Sequence, residues 1–193
     1  MKSSYHLNAA MTKPRVSVVI PVRNGKDYLQ EALDSVLQQS FTDLELLLIN
    51  DGSTDDNYDR YALQDSRIRV IHLTGTGVSR ARNVGMAQSR GDLIAFLDAD
   101  DIWFPGKLMA QVQYFDSHPE TGVVFGKFIR WPALSEGGFA PASALTEDAS
   151  RLTAADPERS GWLYTRLLDG LLVGMNTAVT RRTVYEAIGG FNE

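Results

Sequence analysis

The run VSVVIPV, residues 16–22, decides how the rest of the chain is read. Its valines and isoleucine branch at Cβ, which suits a pleated strand. Its apolar residues are nearly continuous and do not alternate with polar ones, the pattern of a strand covered on both faces. Three more runs share that character: LELLLIN (Leu44–Asn50), IRVIHL (residues 68–73) and LIAFLD (residues 93–98). GVVFGKFIRW, residues 122–131, reads as a fifth strand. Between the first two strands, DYLQEALDSVLQQS places Leu29, Ala32, Leu33, Val36 and Leu37 at helical spacing. The segment between the third and fourth reads as a helix stopped by Gly91, and PGKLMAQVQYFDSH as a helix with Pro105 near its first turn. Strands alternating with helices predict an α/β fold with a mainly parallel central sheet between helical layers. Such sheets bind ligands at the carboxyl ends of their strands.

Composition narrows the function. The chain has 193 residues, 44% hydrophobic and 22% charged, the balance of a globular domain with a sizeable core. A net charge of -5 and a pI of about 5.2 argue against nucleic acid or anionic lipid as a partner. With no cysteine there are no disulfides, thiolate ligands or cysteine nucleophiles. Residues 1–13 hold no apolar core of signal-peptide length, and no apolar run reaches the roughly 18 residues of a membrane helix. The expectation is a cytoplasmic protein, with any membrane association left to parts outside these residues.

The organisation predicted is an N-terminal extension (1–13), an α/β domain (14–131), a long Ala-, Ser-, Pro- and Gly-rich loop (132–158) and a final region (159–193) belonging to the same domain. In that final region GWLYTRLLDGLLVG reads as helix, MNTAVT as strand and RRTVYEAIGGFNE as a short helix ended by a glycine pair.

Polar residues gather where the strands end. Pro21 and Asn24 follow the first, Asp51, Gly52 and Ser53 the second, and Asp98, Asp100 and Asp101 the fourth. With 16 aspartates in the chain, an Asp-x-Asp pattern arises by chance, so its placement at the sheet edge carries the information. Hard oxygen ligands without Cys or nearby His suit Mg²⁺ or Mn²⁺. The plainer alternative is that Asp100 and Asp101 favour the start of the helix at Pro105. Asp51 equally fits a helix-capping Asx turn, and Asn24 a cap for the helix beginning near Lys26. Arg80 and Arg82, two apart, cannot share a helix face, and solvation is the default for each, as for Arg90. The three histidines show no ligand spacing. GTGVSRARNVG lacks the G-x-G-x-x-G spacing, and neither a G-x-x-x-x-G-K-[ST] loop nor a G-x-S-x-G elbow is present.

Taken together, VSVVIPVRN, LELLLINDGSTDD, GVSRARNVGMAQSRGDLIAFLDADDIWFPGKL and the closing GGFNE resemble the family 2 glycosyltransferases, over Pro14–Trp131 and again over Asn176–Glu193. The resemblance implies the A-type, nucleotide-diphospho-sugar transferase fold and an inverting transfer from a nucleotide-sugar donor, a UDP-sugar above all, to an acceptor hydroxyl in polysaccharide or glycoconjugate synthesis. Carried over by position, it implies that Pro21, Val22 and Asn24 line the nucleoside pocket and that Asp51 accepts a hydrogen bond from the base. Arg82 would sit near the donor, Asp98 would contact ribose or metal, Ala99 would line the donor, and Asp100 would ligate the Mn²⁺ or Mg²⁺ bridging the diphosphate. This chain departs from the family at Arg23, where an aromatic residue is frequent, and at Lys26, where an acid is. The family's catalytic base lies in an acidic motif beyond the GGF turn, so the resemblance also implies a base beyond Glu193 and a truncated chain with poor transfer activity. A non-catalytic, metal-dependent nucleotide-binding module is the rival from another class. A nucleotidyltransferase would need a glycine-rich loop after the first strand, where PVRNGKDYL has one glycine.

Overall fold

The computed structural model describes residues 13–129, 131, 161 and 173–193. Strand β1 (Val16–Val22) is buried along its whole length, as is β2 (Leu44–Asp51), which explains their unbroken apolar runs. They pair in parallel, Val16 opposite Leu44, and β1 pairs in parallel on its other side with β4 (Leu93–Phe96). Beyond β2 lies β3 (Ile68–Leu73), also parallel but only partly buried. The sheet order is β3-β2-β1-β4-β6-β5, where β6 (Val179–Arg181) runs antiparallel to both β4 and β5 (Val123–Val124).

Successive side chains of β1 go to opposite faces. Val16, Val18, Ile20 and Val22 meet α1 (Lys26–Leu37) and α4 (Lys107–Ser117) through Leu29, Leu33, Leu108 and Phe115. Val19 faces the other layer, with Ala81 of α3 (Val78–Gln88) and Tyr185 of α5 (Arg182–Ile188). Helix α3 approaches β1 so closely that a Cβ on Gly85 would lie 2.2 Å from Val19 Cγ1. A single-turn helix α2 (Asp59–Ala62) buries Tyr61 in the first layer. Among the described residues, no helix is long and apolar enough to cross a membrane.

Three sequence expectations need correction. The fifth strand shrinks from ten residues to Val123–Val124, and it pairs with β6. Val124 lies opposite Val179, and just before that residue the partner chain turns into a 3₁₀ turn (Met175–Thr177), so the ladder runs out. For the same reason MNTAVT begins as a 3₁₀ turn and becomes strand only at Val179. Helix α3 ends before Ser89, which is extended, so Gly91 does not stop it. Gly91 instead lets the chain pass β1, since a Cβ there would lie 2.6 Å from the Ser17 nitrogen. The expected 132–158 loop lies outside the described residues, as does nearly all of the expected helix over 161–174.

At the amino edge of the sheet, Glu45 is a buried acid with every need met. It accepts from Ser17 Oγ at 2.7 Å, Arg90 N at 2.6 Å, Arg90 Nε at 2.8 Å and Arg69 Nη1 at 3.2 Å. Burial pushes its carboxyl up, but these donors outweigh it and hold the group below the ordinary value of 4.5. Arg90, read as solvated, is therefore part of this brace. Glu45→Gln should cost about 3 kcal/mol, because it leaves a guanidinium without its countercharge. Since the folded pKa is the lower one, the contribution is present above the unfolded value and lost as pH falls through the folded value. Denaturant titrations across that acid range should show a shallower loss of stability in the variant. Equal slopes in the two proteins would refute the assignment.

Candidate functional site

The parallel strands release their loops along one edge. Asn24 holds a left-handed backbone (φ 55) and does not cap α1, whose N-cap is Gly25 with no side-chain bond. Its Oδ1 instead accepts from Thr54 N at 2.9 Å, and its backbone N donates to Ser53 Oγ at 3.0 Å, stitching the β1 loop to the β2 loop. The local side-chain-to-backbone bond belongs to Asn50, whose Oδ1 accepts from Ser53 N, three residues on, at 2.9 Å.

Asp51 is thereby freed for a longer reach. Its carboxylate accepts from Thr76 N at 2.6 Å, Thr76 Oγ1 at 3.0 Å and Gly77 N at 2.7 Å, gripping the start of α3. Burial pushes the carboxyl up, but these donors, with a weaker pull from the Gly75 N–H, hold it below the ordinary carboxylate range. Gly52 (φ 73) allows this close approach, since a Cβ there would lie 2.8 Å from the Gly75 nitrogen. A cavity of about 250 Å³ opens beside Asp51, floored by Pro21, Val22 and Ala81 and edged by Arg23, Gly77 and Val78.

The acid turn follows β4, closed by a bond from Asp101 N to Asp98 O at 3.1 Å. Asp98 Oδ1 accepts from Arg82 Nη2 at 2.7 Å, and the Arg82 guanidinium lies 5.6 Å from the Phe191 ring centre. Arg82 is thus largely buried and paired, not solvated, while Arg80, on another face, pairs with Glu193 at the surface. Asp101 bonds the side-chain amide of Asn176, and burial, reinforced by Asp100 and Asp98, pushes its carboxyl up. Asp100 is exposed and has no hydrogen-bond partner among the described residues. Neither Asp100 nor Asp101 caps α4, which begins at Lys107 behind a left-handed Gly106. No three His, Cys, Asp or Glu side chains converge as a metal cage among the described residues.

Pro21, Val22 and Asp51 therefore share the cavity, Asn24 ties the loops beside it, and Asp98, Ala99 and Asp100 lie in the acid turn, to which Arg82 of α3 is paired. Ala99 joins the two groups, since a Cβ on Gly25 would lie 2.8 Å from Val22 Cγ2 and 3.4 Å from Ala99 Cβ. Sequence reasoning missed Asn176 and Asn83. Asn83 pairs reciprocally with Phe191, donating to its carbonyl at 2.9 Å and accepting from its N–H at 2.8 Å, and so docks the GGF turn under Arg82. Both partnerships span more than 70 residues, and no local pattern signals them.

The family profile described as "Glycosyl transferase family 2" matches residues 17–133, more than half of the chain. The putative teichuronic acid biosynthesis glycosyltransferase TuaG of Bacillus subtilis (strain 168) is 39% identical over 152 residues, covering 73% of this chain and 59% of TuaG. The uncharacterized glycosyltransferase EpsJ of the same organism is 43% identical over 91 residues, covering 46% of this chain and 26% of EpsJ. Among solved structures, S. aureus TarS 1–349 superposes with a TM-score of 0.66 at 23% identity, over 90% of this chain and 48% of TarS 1–349. The same TarS fragment has been crystallised with UDP and with UDP-GlcNAc. The mannosyltransferase PcManGT from Pyrobaculum calidifontis, in complex with GDP-Man and Mn²⁺, gives 0.63 at 20% identity, over 94% of this chain and 48% of PcManGT. These structural likenesses show the A-type glycosyltransferase fold.

The Asp51 grip is directly testable. Asp51→Asn replaces an acceptor oxygen with a donor, and should release the Thr76 and Gly77 amides by about 1.5 kcal/mol, or roughly tenfold in hydrogen exchange. The β1 amides should stay protected. Unchanged protection at Thr76 and Gly77 would rule the grip out.

Proposed function

The chain belongs to glycosyl transferase family 2, and on that footing we propose that it binds a nucleotide-diphospho-sugar and serves transfer of the sugar to an acceptor hydroxyl in surface polysaccharide or glycoconjugate synthesis. The observation carrying this reading is one continuous edge. The cavity at Asp51 is lined by Val22, and Gly25 and Ala99 lie next to Val22 on the side of the acid turn, an arrangement that suits a base at one end and a diphosphate at the other.

We take UDP as the donor nucleotide, a reading supported by the acceptor positions left at Asp51. A carboxylate has about four acceptor positions, and strong donors already fill three on Asp51. Room remains for a single N–H, displacing the weak pull of Gly75. Uracil presents a lone imide N–H, whereas guanine presents two adjacent donors. Pro21, Val22 and Ala81 would pack the base, and Arg23 would offer donors to its carbonyl oxygens.

The acid turn fits a divalent ion in its donor chemistry. Its oxygens are hard, Asp100 is exposed and unpartnered among the described residues, and Asp98 lies in the same turn. With no three-carboxylate cage among the described residues, Mn²⁺ or Mg²⁺ would take one or two of these carboxylates and complete its shell with phosphate and water oxygens. When bound, the ion supplies Lewis acidity toward the departing diphosphate. Arg82, held by Asp98 and Phe191, would add a fixed positive charge beside the acid turn.

Calorimetry of UDP with and without Mn²⁺ tests the reading. UDP should bind with the metal, bind more tightly than GDP, and lose at least about tenfold in metal-dependent affinity in Asp100→Ala. Binding indifferent to metal and to the substitution would remove the acid turn from the donor site.

A further inference from the structure

We propose that Asn176 is a positioning residue that holds the acid turn in its ion-binding shape, an inference that rests on the donor-site reading above. The reason lies in strand register. Strand β4 pairs antiparallel with β6, Leu93 opposite Arg181 and Ala95 opposite Val179. Three residues further on, the same register sets Asp98 opposite Asn176. Both strands have ended there, and the backbone ladder is replaced by a side chain. Asn176 Oδ1 accepts from Asp98 N at 3.1 Å, and its Nδ2 donates to Asp101 Oδ2. One amide therefore grips both ends of the turn.

That grip divides the labour among the three carboxylates. Asp101 is tied inward by Asn176, Asp98 is aimed by its fixed backbone and by Arg82, and Asp100 between them is left facing solvent. An amide meets both demands at once from two separate atoms, its oxygen accepting from an N–H and its nitrogen donating to a carboxylate. Asn176 is itself held from below. Its carbonyl accepts from Trp103 Nε1 at 2.7 Å, and the neighbouring Thr177 carbonyl accepts from Gln111 Nε2 at 2.9 Å. Lys107 Nζ completes the brace, donating to Gln111 Oε1 at 2.8 Å and lying 3.9 Å from the Trp103 ring centre. The 3₁₀ turn carrying Asn176 is thus fixed to α4 independently of the acids it positions.

The test measures Mn²⁺ affinity in the presence of UDP, by paramagnetic resonance of the free ion, with UDP affinity without metal measured in parallel. Asn176→Ala should weaken Mn²⁺ binding by about 10- to 100-fold, the usual cost of losing an outer partner of a metal ligand. UDP binding without metal should not change. The double variant N176D/D101N reverses the polarity of the lower bond while keeping an oxygen for the Asp98 N–H, and should recover Mn²⁺ affinity. Asn176→Asp alone, with two carboxylates face to face, should not recover the geometry, and its Asp98 amide should lose exchange protection. Wild-type affinity in Asn176→Ala, or a double variant no better than Asn176→Ala, overturns the role. Failure of the wild-type chain to bind Mn²⁺ with UDP is a separate outcome, which overturns the donor-site reading and this inference together.

Discussion

Burial of β1 on both faces is the constraint on which the other features depend. Every residue from Val16 to Val22 is buried, with β2 on one side, β4 on the other and helices above and below. A strand so enclosed has its backbone groups satisfied only while its neighbours run beside it. Where the ladders stop, at the carboxyl edge, polar groups must find partners elsewhere. The chain supplies them with side chains: Asn24 and Asn50 across the first two loops, Asp51 toward α3, and Asn176 toward the acid turn. The groups that close the sheet are therefore the ones that shape the cavity and the turn beside it.

The two edges of the sheet treat acids differently. At the amino edge Glu45 is saturated by a hydroxyl, a backbone N–H and two guanidinium groups, a closed arrangement that serves stability. At the carboxyl edge three aspartates crowd one turn with, among the described residues, a single guanidinium and a single side-chain amide between them. Burial first, and then the neighbouring Asp100 and Asp98, push the Asp101 carboxyl up, while Asp100 has no hydrogen-bond partner among the described residues. An excess of carboxylate over partners is costly in a folded protein, and on the function proposed above a divalent cation would relieve it. The contrast within one chain separates an acid saturated by its own donors from acids left short of partners among the described residues.

Much of the fold could be read locally. Strands β1, β2 and β4 announced themselves because both faces needed apolar residues, and α1 because its buried stripe repeats at helical spacing. The outer strands could not be read as well. β5 and β6 are two and three residues long, set by where a partner's ladder ends and not by their own pattern. At the site, sequence position brought attention to the right loops, yet the local alternatives were wrong in detail. Asn24 caps no helix, Asp51 makes no local turn, and Asp100 and Asp101 start nothing, because each side chain is used at long range or left open.

The sequence by itself determined the α/β class, the family and the edge on which the polar loops gather, since these follow from side-chain periodicity and from motifs within short windows. Only the tertiary structure decided how those loops are held. The partners of Asp51 lie 25 and 26 residues away, and those of Asp98 16 residues away in α3 and 78 away at Asn176. A hydrogen bond depends on distance and angle in space, and neither can be read from a residue's own neighbours until the strands have been paired.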